Sequence, residues 1–346
     1  MNHYSSRIFL SIRYLIGLFG LTLTRTSTEL TSYRIHLGNG RYDDSRPLPA
    51  GLAEVLDDRN PGLVELRERY RRLDSPFQPG SFWRRSRRLR DLDLGYFRGD
   101  NAYVWQLRQL GDQARLKFFL FARYISALDT HKLLERTGED GAFGCWTFDF
   151  HNLPTSSRDL LDSINEIYFL DRHWDLLSRV DFTVVDIGAG YGRLAHRMVE
   201  AVPGLKRYLC ADAIPESTFL SEHYLRYRKV DHKTAVLRLD EVTDRLGAER
   251  PDLAVNIHSF SEMPIAAIEA WVALLARSGV PALMIVPNEG DKLLSLEDDY
   301  LRFDYTPVLE RHGYVEAARE PTIADPDVRE LAGIGDWFML FRRAAP

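Results

Sequence analysis

The sequence predicts an α/β fold in which a doubly wound parallel sheet ends in an antiparallel hairpin and follows a mainly helical N-terminal region. An apolar, β-branched run at 182–187 is typical of a buried parallel strand, and a glycine turn and a helical pattern follow it. Strand and helix patterns then alternate, as in a doubly wound sheet. Two β-like runs, at 314–321 and 337–342, close the chain, whereas a dinucleotide dehydrogenase ends with another parallel strand.

Hydrophobic spacing places the individual elements along the chain. Helices are predicted at 52–57, 63–73, 100–136, 160–170, 194–201, 215–228 and 296–312. Strands are predicted at 182–187, 207–211, 234–239, 253–257 and 282–286. An aromatic linker, 141–152, and a serine-rich helix cap precede the helix at 160–170. We therefore divide the chain into a helical region, residues 1–140, for lid, substrate or oligomer contacts, and a sheet domain, residues 141–346.

Composition limits the class of protein. The chain has 346 residues, of which 45% are hydrophobic and 27% charged, as in a globular protein with a conventional core. Its net charge of −5 argues against a general nucleic-acid binder, which normally shows a basic excess. The two cysteines, Cys145 and Cys210, form no CxxC motif and no zinc-type cluster. We expect both to be reduced and the chain to be cytoplasmic.

Two segments of the helical region leave their roles open. The apolar stretch 8–23 contains Arg13 and is short for a membrane span, which needs roughly 20 mostly apolar residues. A packed or homo-oligomer-forming helix, an interfacial membrane helix, and a signal or anchor are all compatible with it. The arginine-rich stretch 84–90 fits a solvated helix face, a set of ion pairs, or recognition of an anion.

The glycine turn after the first predicted strand of the sheet indicates the ligand. A dinucleotide fingerprint, GxGxxG, needs a small third residue for close packing of helix on strand, and Arg193 stands there instead. The GxGxG pattern that follows Asp186 resembles the first motif of class I S-adenosylmethionine methyltransferases. Their ligand is a cation without a pyrophosphate, so an acidic residue near the turn can accept from its ammonium group. The residues expected to bind the cofactor here are Asp186, Gly188, Ala189, Gly190, Gly192 and Arg193.

Polar residues at the ends of later strands extend the predicted site, because ligands bind at the carboxyl ends of parallel strands. Asp212 lies about two dozen residues beyond the turn, where its carboxylate can accept from both ribose hydroxyls or cap the next helix. Asp240 follows the third strand, near where the family contacts the adenine. Asn256, His258 and Glu262 follow one another at the end of the fourth strand.

Two blocks make the resemblance more specific. The first runs from Ser157 to Ile167, ahead of the glycine turn, and the second from Ser259 to Met263. Together with the turn they look like the bacterial sugar O-methyltransferase family, which includes enzymes of mycobacterial methylmannose polysaccharides. The resemblance covers about residues 140–342. It implies S-adenosylmethionine as cofactor and transfer to a hydroxyl of a sugar, small-molecule or oligosaccharide acceptor in polysaccharide or glycoconjugate biosynthesis.

A hydroxyl is a poor nucleophile near neutral pH, so its proton must leave as the new bond forms. We expect His258 to be the general base and Glu262 to orient it, with Glu289 and His151 as alternative bases or acceptor-binding groups. A divalent metal held through Glu262 or Glu289 is a further alternative.

Other functions stay open from the sequence. A phenolic or other small hydroxylated acceptor shares every cofactor feature, and a non-catalytic partner protein can keep the same fold. A nicotinamide enzyme is disfavoured by Arg193 and the terminal hairpin. The segment after the fourth strand lacks the Asn/Asp-Pro-Pro-aromatic motif of amino methyltransferases that act on nucleobases, which argues against that substrate.

Overall fold

The computed structural model describes residues 39–41, 48, 51–84, 89, 92–99 and 112–343. The apolar stretch 8–23 and most of the arginine-rich stretch 84–90 lie outside these residues. The strands are β1 (Asn39–Arg41), β2 (Thr147–Asp149), β3 (Phe182–Ile187), β4 (Leu205–Ala211), β5 (Thr234–Leu237), β6 (Leu253–Ile257), β7 (Ala282–Val286), β8 (Tyr314–Pro321) and β9 (Trp337–Arg343). In the described part of the chain, no helix is both long and apolar enough to cross a membrane.

Seven strands form one sheet in the order β5-β4-β3-β6-β7-β9-β8. The first five are parallel, and β9 pairs antiparallel with both β7 and β8. The parallel strands are almost wholly buried, which explains their continuous apolar runs. This is the class I methyltransferase sheet with its C-terminal antiparallel hairpin, so the predicted fold class is confirmed. The strand order changes direction between β3 and β6, because β4 and β5 are added on one side of β3, and β6 and β7 on the other. Open α/β sheets bind ligands at such a switch point.

Twelve α-helices are found in the described residues. They are α1 (Leu52–Val55), α2 (Pro61–Arg72), α3 (Ser81–Arg84), α4 (Asp112–Leu128), α5 (Leu133–Thr137), α6 (Arg158–Trp174), α7 (Arg193–Ala201), α8 (Pro215–Tyr227), α9 (Val242–Glu249), α10 (Ile265–Arg277), α11 (Thr306–Arg311) and α12 (Pro326–Ala332). Helix α6 begins as predicted, because the Ser157 side chain accepts from the backbone N–H of Leu160 at 3.0 Å. Buried residues of α2 and α4 belong to the same hydrophobic core as those of the sheet. The division at residue 140 stays a prediction.

The predicted helix at 296–312 is wrong over its first half. Only α11 is helical, and the chain before it forms an irregular turn in which the N–H of Ser295 bonds the carbonyl of Phe303 at 2.8 Å. Pro307 explains the boundary. Inside a longer helix its ring would remove a hydrogen bond and clash with the preceding turn, but it fits the first turn of a helix that begins at Thr306.

The linker predicted at 141–152 is more regular than expected. It contains β2, which pairs antiparallel with β1 to form a separate two-stranded sheet. Cys145 lies just before β2 and Cys210 lies within β4, and both are buried and free. The aromatic side chains of the linker are core residues, and Phe148 contacts both Trp146 and Phe150.

A fully buried network of charges joins the helical region to the sheet. Arg98 donates to Glu139 at 2.7 Å and to Asp159 at 3.1 Å, and Arg197 donates to Glu139 at 3.0 Å. Tyr191, from the glycine turn, donates its hydroxyl proton to Asp159. Although burial alone would raise it, the two arginines hold the pKa of Glu139 well below its ordinary value. The network therefore fixes α6, α7 and the turn relative to one another.

Replacing Arg98 with Met should lower the free energy of unfolding by about 3–5 kcal/mol, because it leaves buried carboxylates without their partner. Denaturant unfolding followed by circular dichroism measures the change. The matched control is Arg59→Met, since Arg59 is 91% exposed and pairs only with Asp57 among the described residues. Equal stability of both variants would contradict the expectation.

Candidate functional site

A cavity of about 630 Å³ opens at the carboxyl ends of β3 and β6. The glycine turn forms its floor, and residues that follow β4, β6 and β7 form one side. The helical region closes it through Pro79, Phe82 and Trp83, and the connection from α12 to β9 contributes Gly333 and Asp336. The cavity therefore lies at the position predicted from the strand order.

The turn needs glycine because the backbone and a neighbouring side chain leave no room. Gly188 has φ +76°, and a Cβ added there would lie 2.2 Å from the Ser259 hydroxyl oxygen. Gly192 has φ +86°, and its Cβ would press on Ser221 and Leu225 of α8. Positive φ is strained for any residue with a Cβ. At Gly188, the segment after β6 approaches so closely that glycine is required whether or not a ligand binds there.

Asp212 braces this turn and faces the cavity. One carboxylate oxygen accepts from the N–H of Gly190 at 2.9 Å, and the other accepts from the N–H of Ile214 at 2.8 Å. Burial raises the pKa of Asp212 to about 7. The Ser217 side chain bonds to this carboxylate as well. A carboxylate offers about four lone-pair sites, so Asp212 can still accept from a ligand.

Two further predicted residues also line the cavity. Asp186 accepts from the hydroxyl of Tyr208 at 2.9 Å, and burial raises its pKa to about 7. Arg193 occupies the position where a dinucleotide fingerprint has a small residue. Both of its terminal nitrogens donate to Glu166 of α6, at 2.7 and 2.9 Å. A large cation fits beside the sheet because α6 supplies this buried partner.

His258 follows β6 in a strained backbone conformation, with φ +65° and ψ −32°. Its Nε2 atom is buried and has no hydrogen-bond partner among the described residues. Burial, with Arg158 nearby, lowers the pKa of His258 to about 4, so the ring is neutral at neutral pH. A carboxylate oxygen of Asp336, Oδ2, lies 3.9 Å from this Nε2 atom.

Glu262 lies in the cavity wall, where it contacts groups other than the expected imidazole. It accepts from Trp83 Nε1 at 2.9 Å and from the side-chain amide of Asn288 at 3.2 Å. The structure thus places a different carboxylate, Asp336, beside His258.

Five predicted residues do not line the cavity, and one of them, Gly192, packs against α8 instead. Asn256 is buried beneath it and donates to the carbonyl of Ile187 at 2.9 Å, which ties the ends of β6 and β3 together. Asp240 pairs with Arg69 of α2 at 2.8 Å, and Glu289 pairs with Arg302 at 2.9 Å. His151 is exposed in the turn after β2. Position at a strand end was a correct guide for Asp212 and His258, but it does not fix where a side chain points.

Several residues of the lining were not predicted. Arg158 and Asp162 lie one turn apart on α6 and pair at 3.2 Å, a spacing visible in the sequence as an i, i+4 pair of opposite charge. No comparable sequence pattern marks Asp159 or Trp83 as a residue of the cavity. Asp336 precedes a strand at the far end of the chain, so only the folded hairpin brings it to His258.

The lining is acidic. It contains the carboxylates Asp159, Asp162, Asp186, Asp212, Glu262 and Asp336. It contains two arginines, Arg158 and Arg193, and each is already paired with a carboxylate. Within the ranges that the structure describes, no group of three or more His, Cys, Asp or Glu side chains could hold a metal ion.

No family model matches the chain, and no curated protein matches it in sequence. Solved structures do match part of it. The cyclase SpnF is 13% identical, with 55% of this chain and 84% of SpnF covered and a TM-score of 0.39. An S-adenosylmethionine-dependent methyltransferase from Clostridium acetobutylicum is 12% identical (53% and 91% covered, TM-score 0.37). A similarly described methyltransferase from Aquifex aeolicus is 16% identical (52% and 97% covered, TM-score 0.36). The strand order, and not these matches, carries the fold assignment.

Replacing Gly188 with Ala should destabilise the protein by about 2–4 kcal/mol, because the new Cβ combines positive φ with a collision against Ser259. Chemical denaturation measures the loss. The control is Gly247→Ala on α9, where a Cβ meets nothing within 4 Å and helix propensity should add about 0.5–1 kcal/mol. A stable Gly188→Ala protein would show that the turn relaxes away from Ser259.

Proposed function

We propose that this protein is an S-adenosylmethionine-dependent O-methyltransferase. The observation that carries the proposal is the charge of the cavity beside the glycine turn: six carboxylates and two arginines that are already paired. A cofactor with a sulfonium and an ammonium group suits this lining. A dinucleotide pyrophosphate would instead bring negative charge to a site whose described cations already have partners.

The residues present fit the cofactor at two points. Asp212 faces the cavity beside the glycine turn, which supports its predicted role as acceptor for the ribose hydroxyls. For the ammonium group, Asp186 is the predicted acceptor, and Asp159 is a second. Oδ1 of Asp159 is buried and lacks a hydrogen-bond partner in the described part of the chain. Buried polar atoms are usually satisfied, so this atom has capacity for a ligand donor.

The bound cofactor supplies an electrophilic methyl group for in-line displacement. The protein must hold the acceptor hydroxyl opposite the methyl group and accept its proton. His258 lies in the same cavity and is neutral at neutral pH, so it can accept that proton. A positioned general base contributes about 100- to 10,000-fold, and alignment of the reactants contributes further.

The proposed acceptor is a sugar hydroxyl, in polysaccharide or glycoconjugate biosynthesis. Phe82 and Trp83 of the helical region face the cavity, and Trp83 is held by its bond to Glu262. Asn288 and Glu262 add a polar amide and a carboxylate to the same wall. A wall that combines aromatic faces with hydrogen-bonding groups can contact both the ring and the hydroxyls of a sugar. A phenolic acceptor would use the same cofactor and base.

The function is tested by a mass-spectrometric screen of mono- and oligosaccharides and simple phenols with S-adenosylmethionine, with and without a chelator. Methyl transfer to a sugar supports the whole proposal, and transfer to phenols alone corrects the acceptor. Calorimetry with S-adenosylmethionine and with NAD separates the two cofactor classes. Cofactor binding without turnover on any acceptor would favour a non-catalytic partner protein.

The affinity for S-adenosylmethionine should fall below about pH 7, by up to about tenfold per pH unit for each carboxylate that must ionise and up to about 100-fold for the two together. Asp212 and Asp186 have pKa values raised to about 7, so each is protonated below that pH and must ionise to bind a cation or accept from two hydroxyls. Asp212→Asn should weaken binding about 10- to 100-fold and reduce the slope of the pH profile to that of Asp186 alone. Asp240→Asn is the control, because Asp240 lies outside the cavity. Titration calorimetry at pH 6, 7 and 8 measures both effects, and a pH-independent affinity would exclude these carboxylates.

Replacing His258 with Ala should lower kcat about 100- to 10,000-fold and leave the affinity for S-adenosylmethionine nearly unchanged, because the proton loses its acceptor while the turn stays intact. Initial rates with an acceptor found in the screen, together with calorimetry, measure the two quantities. His151→Ala is the matched control, since His151 is exposed outside the cavity. If His258→Ala keeps full turnover, another group takes the proton.

A further inference from the structure

His258 and Asp336 meet in the cavity from distant parts of the chain. His258 follows β6, and Asp336 lies between α12 and β9 at the start of the hairpin's second strand. Both side chains line the cavity, with Nε2 and Oδ2 separated by 3.9 Å. The sequence predicts Glu262 as the carboxylate for this histidine, whereas the fold brings Asp336 to it.

The imidazole has a defined orientation. Its Nε2 edge is buried and turned towards Asp336, while 39% of the side chain is exposed. The backbone on either side is fixed, because the N–H of His258 donates to the carbonyl of Val286 at 2.7 Å and its carbonyl accepts from Ser261 at 3.0 Å. Strained backbone of this kind persists only where the surrounding structure imposes it, and it clusters at functional sites.

Asp336 is equally well anchored. Its carbonyl accepts from both the N–H and the hydroxyl of Thr322, each at 3.0 Å, and Thr322 is held in turn by the amide of Asn165 on α6. Its carboxylate is 25% exposed and makes no hydrogen bond to another described residue. The Nε2 atom of His258 and the carboxylate of Asp336, neither of which bonds to another described residue, thus face each other. Hydrogen bonds hold the backbone of both residues in place.

We infer that Asp336 is the positioning residue for His258, an inference that rests on the proposed function. Asp336 accepts a hydrogen bond from Nε2–H and thereby leaves the lone pair on Nδ1. The 3.9 Å separation is about 1 Å longer than a hydrogen bond, so small side-chain rotations close it in the free protein, and the contact tightens further when the acceptor binds. The tautomer of a histidine is set by the bond that its other nitrogen makes.

The step is balanced within the cavity. With the cofactor bound, the acceptor oxygen would form its bond to the methyl carbon as the carbon–sulfur bond breaks, and the bonding electron pair would stay on sulfur. The hydroxyl proton passes to Nδ1, and the resulting imidazolium donates from Nε2 to the carboxylate of Asp336 before it releases a proton to solvent. Asp336 thus stabilises the charge that develops on the base, as the aspartate of a Ser-His-Asp triad does.

Other charged groups also act on the imidazole. Arg158 and Asp162 reach it from α6, and Arg193 reaches it from α7. The arginines disfavour the imidazolium and Asp162 favours it. Because Arg158 is paired with Asp162, Asp336 is the carboxylate that can respond directly to protonation of His258.

The first test needs no acceptor. In the free full-length protein with nitrogen-15-labelled histidine, NMR should show His258 as the neutral Nε2–H tautomer at pH 7. Asp336→Asn should shift the ring towards the Nδ1–H form, since an amide can donate to Nε2. The control is Asp327→Asn, which removes the same charge from an exposed position on α12 and should leave the tautomer unchanged. A wild-type Nδ1–H tautomer, or no shift in Asp336→Asn, overturns the inference.

The second test measures turnover with the acceptor sugar that gives product in the screen. Asp336→Asn should lower kcat on the order of 100-fold, shift the pH–rate profile, and leave the KM for S-adenosylmethionine unchanged. Asp336→Glu should restore part of the rate, and Asp327→Asn should match wild type. Unchanged kcat in a folded Asp336→Asn protein contradicts the inference. If wild type methylates no hydroxyl, the proposed function fails, and the tautomer measurement still decides the pairing.

Discussion

The buried ion network of Arg98, Glu139, Asp159 and Arg197 is the interaction on which the site depends. These residues come from the loop at 92–99, the segment after α5, and helices α6 and α7, and their side chains are at most 1% exposed. Taking such charges out of water is costly, so the network is stable only when every member is in place. Tyr191 couples the glycine turn to it through Asp159. The floor of the cavity is therefore positioned by charges beneath it as much as by the sheet.

The same helix, α6, serves the network on one side and the cavity on the other. Asp159 faces the buried arginines, Glu166 holds Arg193, and Arg158 and Asp162 reach the region of His258. A helix that carries charges on several faces cannot slide without breaking one of these pairs. This constraint explains how a large arginine can stand where other glycine turns require a small residue.

In the proposed function, the cavity divides into a cofactor side and an acceptor side. The turn, Asp212 and Asp186 lie at the ends of β3 and β4, and their geometry follows from the sheet. The acceptor side combines three separate parts of the chain: the segment at 79–83, the loop after β6, and the connection between α12 and β9. Under the proposed function, specificity for the acceptor would therefore depend on how the hairpin and the helical region pack against the sheet.

The sequence by itself determined the parallel strands, the glycine turn, the hairpin, and the acidic residue Asp212 at a strand end, because local periodicity and backbone geometry specify them. It also placed His258 in the site. Tertiary structure decided which side chains face the cavity: Asn256 turns inward to the backbone, Asp240 turns to Arg69, and Asp336 reaches His258 from 78 positions away. The reason is physical. Strand and helix patterns arise between near neighbours in the chain, whereas side-chain pairing depends on long-range packing and charge that no local pattern contains.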